Sequence, residues 1–219
     1  MHTTVQNLIS IEKQVKTNST NLKEFKLPKI IAVSKTFQLN KILPLIEYGH
    51  KDFGENKVQE AVDKWSLTKE KNPNIQLHMI GKLQTNKVKF AVKLFDYIHT
   101  VDSERLAKKI ASEQEKINKK IKIFIQVNIG DEDQKSGVSK QNLSNLVSYC
   151  NELKLDVVGL MCIPPINCDP DVYFNEMKLL NKTHNFYQLS MGMSADFQIA
   201  CKYNSTYLRI GSSIFGNRY

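Results

Sequence analysis

No stretch of this chain approaches the roughly 18 unbroken apolar residues that a helix needs to cross a bilayer. The N-terminus, MHTTVQNLISIEKQVKTNST, lacks the charged start, apolar run and small-residue cleavage site of a secretion signal. A cytoplasmic protein without membrane partners is the expectation. Cysteine is scarce: Cys150, Cys162, Cys168 and Cys201 form no C-x-x-C pair and have no histidine at ligand spacing, so no metal centre is expected. They read as free thiols of a reducing compartment. There is no linker, internal repeat or low-complexity tract at which to divide the sequence. With 219 residues and 41% apolar composition, the expectation is one domain over 1–219 with a substantial core.

Acidic residues are in deficit, 22 against 31 Lys and Arg, and the formal net charge is +9. Such a balance suits a polyanion binder. The lysines, however, are spread along the whole chain rather than gathered into one block, and no nucleic-acid recognition motif accompanies them. They read as a solvated surface, with no nucleic-acid partner expected.

What is present is an alternation. Eight short apolar or β-branched runs occur at 29–35, 52–56, 76–82, 97–102, 122–130, 156–163, 188–194 and 206–215. Between them lie amphipathic stretches such as NKVQEAVDKW, SERLAKKIASEQEKI and DVYFNEMKLLNKT, whose apolar residues recur at three and four positions. Several open with Asn, Ser, Thr or Asp, which suit a first-turn cap. Strand alternating with helix implies parallel pairing through right-handed crossovers. Eight such units in this length match a (β/α)8 barrel of roughly 200 to 250 residues. An open doubly wound sheet usually has fewer strands, and no G-x-G-x-x-G turn follows the first run. The chain stops soon after the eighth run, at GNRY, so no C-terminal helix is expected there. A helix over about 3–17 is expected to close the ring instead.

In such barrels the site forms at the carboxyl ends of the strands, and the last two loops often hold a phosphate. The first run ends in Ser34-Lys35-Thr36. An inward lysine there would be desolvated and its amine made partly neutral, the state that attack on an aldehyde requires. Asn56 suits either a helix cap or a ligand contact, Thr85 and Asp102 suit caps, and Asn128 suits the barrel mouth. His78 reads as a satisfied interior histidine and Cys162 as a small core residue. Gly192 and Gly211 allow close backbone approach, and Ser190, Ser194, Ser212 and Ser213 offer hydroxyls for an anion. Arg209 lies within the eighth run, where an inward arginine would anchor an anion or donate to a ring nitrogen. Lysine after strand one and a phosphate cup after strands seven and eight together suggest pyridoxal 5'-phosphate (PLP).

The segments AVSKT, FGENKVQEA, HMIGKLQTNK, SMGMSADF and RIGSSIFG resemble the signature segments of the pyridoxal phosphate homeostasis protein family, from about Lys29 to Arg218. The resemblance implies a single TIM-type barrel like the N-terminal domain of alanine racemases, without their C-terminal β-domain. It implies that Lys35 carries PLP as an internal aldimine, that Ser194, Gly211 and Ser212 hold the phosphate, that Arg209 meets the pyridine nitrogen and that Asn56 lies beside the cofactor. Ser212 stands where the family often has threonine. A permanently charged arginine at the ring nitrogen weakens the electron sink that racemisation needs. The expected function is therefore PLP storage, buffering or delivery by a monomer, with apo PLP-dependent enzymes as recipients. A small amino acid racemase is the alternative.

Overall fold

The computed structural model describes residues 1–19, 27–132 and 134–216. Eight strands, β1 (Lys29–Val33), β2 (Asp52–Glu55), β3 (Gln76–Met79), β4 (Tyr97–Val101), β5 (Lys122–Gln126), β6 (Asp156–Met161), β7 (Gln188–Met193) and β8 (Tyr207–Ile210), close in sequence order into a parallel barrel. β1 pairs with both β2 and β8, which joins the ends of the sheet. Each run of the sequence contains one strand, and every strand stops short of the run's end. The trimmed residues, among them Ser34, Lys35, Asn56, Asn128 and Ser194, form the turns at the carboxyl mouth.

The expected helices form as α2 (Leu39–Glu47), α3 (Val58–Lys71), α4 (Val88–Leu94), α5 (Glu104–Lys116), α6 (Leu143–Glu152) and α7 (Pro170–Thr183), preceded by α1 (Thr3–Ser19). Two further short helices are present: α8 (Phe197–Lys202), and α9 (Ser212–Phe215). α9 corrects the expectation that no helix follows the last strand. The eighth run breaks at Gly211, whose carbonyl accepts the N–H groups of Ile214 and Phe215 and so starts a helical turn instead of prolonging the strand. From residue 217 on, GNRY lies outside the described residues. α1 packs on α8 and α9, and Asn7 donates to the carbonyl of Ile214 at 3.0 Å. Caps were over-read: α7 has one, Asp169 accepting from the N–H of Asp171. No side-chain cap bond forms at the starts of α3, α4 or α5, so Thr85 and Asp102 do not cap, and of the two roles open to Asn56 the cap is not taken.

Apolar residues sort into two layers. One fills the space between barrel and helices, with Phe53 and Trp65 in tilted contact at 4.9 Å. The other fills the barrel itself: Ile31, Tyr97, Phe124, Val158, Met161 and Tyr207. No helix among the described residues is long and apolar enough to cross a membrane, and all four cysteines are free.

The last turn of β7 depends on Gly192. Its φ is +91°, in the left-handed region, and a Cβ there would meet the Cβ of Ala200 at 2.6 Å. The β7–β8 register shifts between Ser190 and Met193, so this residue carries the chain out of the strand towards Ser194. Gly192→Ala is expected to cost about 3 kcal/mol, the sum of backbone strain and overpacking. Urea denaturation measures it; an unchanged midpoint would mean that the turn adapts.

Candidate functional site at the carboxyl mouth of the barrel

Lys35 lies in a turn two residues beyond β1 and is half-buried. The next residue, Thr36, has φ +68°, which a β-branched side chain rarely adopts. Such strain persists only where the surroundings over-determine the backbone, and here three side chains do so. Glu60 on α3 accepts the Thr36 N–H at 2.6 Å, while Lys64, one helical turn later, donates to the Ser34 carbonyl at 2.9 Å. Lys64 also bridges Glu55 and Glu60, each at 3.0 Å, and Glu55 accepts from the Ser34 hydroxyl at 2.7 Å and the Trp65 indole at 2.9 Å. Burial would raise the Glu60 pKa, but the Lys64 and Thr36 hydrogen bonds and the Lys64 charge hold it below the usual carboxylate range. The turn carrying Lys35 is thus clamped on both sides from α3.

Asn56 follows β2 directly, and Lys57 takes the helix-cap position after it. Its Oδ1 is buried without a partner in the protein, a state that argues for a ligand at this point rather than for a cap. Gly81 makes this possible, because any Cβ there would overlap the backbone of Asn56. Across the mouth, the N–H groups of Gly211 and Ser213 both point at the Ser194 hydroxyl, at 3.4 Å each. These long bonds leave a pair of amides and a hydroxyl facing a common point, with Ser212 exposed between them. Phe37 stacks on Phe215 at 4.9 Å, which ties the Lys35 turn to α9.

Arg209 faces the barrel interior and is 5% exposed. Its Nη1 donates to the Ser190 carbonyl and hydroxyl, both at 2.7 Å, and Nη2 donates to the Cys162 carbonyl at 2.8 Å. Burial pushes its pKa down, partly offset by Cys162 and Asp196, and it remains a cation at neutral pH. Burial pushes the Cys162 thiol up to about 12, so it is no base near pH 7. Asn128 turns its side chain onto the backbone of Glu132 and shapes a loop beside a cavity of about 320 Å³ at this mouth, lined also by Lys82, Thr100 and Lys135. Arg209 therefore sits on β8, and Lys35, Asn56, Ser194 and Gly211 just beyond the carboxyl ends of β1, β2, β7 and β8, four adjoining strands. Sequence reasoning assigned no part to Glu55, Glu60 and Lys64, although Glu60 and Lys64 stand four apart on one helix face. It also passed over His99, whose ring is fully buried inside the barrel and hydrogen-bonded to His78 and Ser190.

Fold and mouth together define a barrel of the alanine racemase N-terminal type, and the family described as "Alanine racemase, N-terminal domain" matches residues 9–218. The chain is similar to the pyridoxal phosphate homeostasis protein of Vibrio cholerae, 39% identical over 202 residues that cover 87% of this chain and 85% of the relative. The same-named protein of Aquifex aeolicus is 38% identical over 200 residues, 87% of each chain. This chain belongs to the pyridoxal phosphate homeostasis protein family. Among solved structures, PipY of Synechococcus elongatus without PLP superposes with a TM-score of 0.88 at 28% identity, covering 98% of this chain and 100% of that one. The PLP-bound form of PipY gives 0.85 at 28% identity, over 97% and 100%. Alanine racemase of Acinetobacter baumannii shares the fold, with a TM-score of 0.74 at 17% identity over 97% of this chain and 62% of that one.

Stability should depend on pH through the interior histidines. Burial lowers the pKa of His78, and lowers that of His99 well below 6.5. The unfolded chain then binds protons near pH 6.5 that the folded chain does not, so stability is full above about 6.5 and falls as pH drops towards the folded-state values. The slope should approach about 1.4 kcal/mol per pH unit for each histidine. Asp52 adds a further loss in stronger acid: burial would raise its pKa, but the His78 contacts together with the charges of Lys29 and His50 hold it below 3.8. Urea denaturation from pH 7.5 down to about 5 measures this; a flat profile would contradict neutral, buried imidazoles.

The clamp gives a second expectation. Glu55→Gln leaves the Lys64 ammonium, 9% exposed, with Glu60 as its one remaining carboxylate. A loss of about 3 kcal/mol is expected in denaturation, at the low end for a broken buried pair. The fluorescence of Trp65, the chain's single tryptophan, should shift with it.

Proposed function

We propose that this protein binds PLP through Lys35 and serves the cell's PLP homeostasis by storage, buffering or delivery, with little or no turnover. The observation that carries the reading is the strained, clamped turn that holds Lys35 on the strand next to the Gly211, Ser213 and Ser194 donor group. The PLP-bound PipY structure, of the same fold and 28% identical, supports it. The residues present fit the cofactor: the unpartnered Asn56 Oδ1 and the loosely bonded amides are groups that a phosphorylated ring ligand would satisfy.

Lys35 would supply the amine, Ser194, Gly211 and Ser212 the phosphate contacts, Asn56 a contact beside the ring, and Arg209 the partner of the ring nitrogen. When bound, PLP supplies an aldehyde for a lysine amine and a ring able to draw electrons from a substrate carbon. Arg209, held by three hydrogen bonds to neutral acceptors, would disfavour a proton on a ring nitrogen placed beside it and so would blunt that second capacity. With the Cys162 thiol protonated, the mouth gains no base from that side. The reading treats residues 1–219 as one cytoplasmic, monomeric domain, with apo PLP-dependent enzymes as recipients.

Absorbance titration with PLP is expected to show a stoichiometric visible band, and Lys35→Ala should lose at least about tenfold in affinity. Borohydride reduction and peptide mapping should place the label on Lys35. Label on another lysine, or no band at all, would sink the reading. Saturable exchange of an amino acid's α-proton in deuterated water, abolished by Lys35→Ala, would make the protein an enzyme instead.

A further inference from the structure

A continuous chain of hydrogen bonds crosses the barrel interior from one mouth to the other. At the carboxyl end the Arg209 Nη1 lies 2.7 Å from the Ser190 Oγ. Ser190 Oγ lies 2.9 Å from His99 Nδ1, His99 Nε2 lies 3.0 Å from His78 Nδ1, and His78 Nε2 lies 3.1 Å from Asp52 Oδ1. Asp52 opens β2 at the amino end and lines a cavity of about 410 Å³ beside α1. Aromatic contacts hold the imidazole planes: His78 stacks on Tyr97 at 4.4 Å and His99 on Phe124 at 4.3 Å.

The two ends permit one polarity. A guanidinium has donors only, and an ionised carboxylate has acceptors only. His78 must therefore donate from Nε2 to Asp52, which leaves its Nδ1 bare to accept from His99 Nε2. His99 Nδ1 is then bare and takes the Ser190 hydroxyl proton, which leaves the Ser190 oxygen to accept from Arg209. Both histidines are neutral in this arrangement, and every link is satisfied. Reversing it would place an N–H on His99 Nδ1 against Ser190 and send the hydroxyl proton back towards the guanidinium.

We propose that Asp52, His78, His99 and Ser190 are positioning residues for Arg209, forming a relay of fixed polarity through which a carboxylate at the amino mouth sets the guanidinium's anchorage at the carboxyl mouth. Arg209 has no carboxylate within hydrogen-bond reach among the described residues; its partners are neutral, and the Asp52 carboxylate reaches it through four hydrogen bonds in series. The charged and titratable groups facing the relay are Lys29, His50 and Asp96 near its Asp52 end, with Tyr97 and Tyr207 alongside His78, and Asp196 and Cys162 near Arg209. The effect on cofactor rests on the PLP reading given above; the polarity belongs to the ligand-free protein.

Long-range proton–nitrogen NMR of ligand-free protein near neutral pH decides the polarity: His78 and His99 should both carry their proton on Nε2. A proton on His99 Nδ1 in the unmodified protein overturns the proposal without any variant. Asp52→Asn, whose amide can donate to His78 as well as accept from it, should populate the form with both ring protons on Nδ1 alongside the original one and shift the Arg209 side-chain signals, whereas Asp52→Glu should retain the original tautomers. His99 does not touch residue 52, so its tautomer is a readout that a local packing defect would not move; no change there overturns the relay. PLP titration of Asp52→Asn should show about tenfold weaker binding with the label still on Lys35, and unchanged affinity overturns the positioning role. If the unmodified protein gives no PLP band, the PLP reading fails while the tautomers still decide the relay.

Discussion

A guanidinium buried inside a closed barrel must find its acceptors without water, and the mouth of this protein is arranged around that demand. Removing such a charge from water costs several kcal/mol unless hydrogen bonds replace hydration. Arg209 meets the cost with the carbonyl and hydroxyl of Ser190 and the carbonyl of Cys162. Those groups belong to the middle of β7 and the end of β6, so the side chain locks three neighbouring strands together. The Cys162 N–H donates in turn to the Ser190 carbonyl at 3.3 Å. The Ser194 turn and the first amides of α9 begin only a few residues beyond that lock, and they take their orientation from it.

The other half of the mouth is built from outside the barrel. Side chains alternate along a strand, so with Ile31 inside, Ser34 and Glu55 fall on the helix-facing side. There Glu55, Lys64 and Glu60 bond the backbone and hydroxyl groups on either side of Lys35 and support the left-handed Thr36. An ionic network between sheet and α3 thus holds the lysine, while a polar column within the barrel holds the arginine. The two meet across β1 and β8, whose register sets Ile31 opposite Arg209. Both break the local rule that buried positions be apolar, and such breaks concentrate where a fold does its work.

Much of this was legible in the residues. Alternating short and amphipathic runs revealed eight strands and seven of the helices, because periods of two and 3.6 follow from backbone geometry alone. Lys35, Asn56 and Ser194 were legible as residues at the ends of their runs, and Arg209 and Gly211 as residues within the eighth, since a parallel barrel gathers the strand ends at one mouth. Less legible was the extent of each element: the eighth run reads as strand through Phe215, yet at Gly211 the chain turns into α9. α8, six residues long, is too short to show a period. The caps read at Asn56, Thr85 and Asp102 do not form, because tertiary contacts decide where a short polar side chain in a βα turn finds its partner.

The sequence by itself determined the barrel, the choice of its carboxyl mouth, and the kinds of group that gather there, because these depend on periodicity and on topology rules that act along the chain. Only the tertiary structure decided which polar residues speak to one another. Asp52, His78, His99, Ser190 and Arg209 lie on β2, β3, β4, β7 and β8, and no spacing in the chain links them. Closure of the sheet brings their inward faces within 2.7 to 3.1 Å of the next member. Buried polar groups pair wherever the fold offers a partner, so each donor takes the acceptor that closure provides.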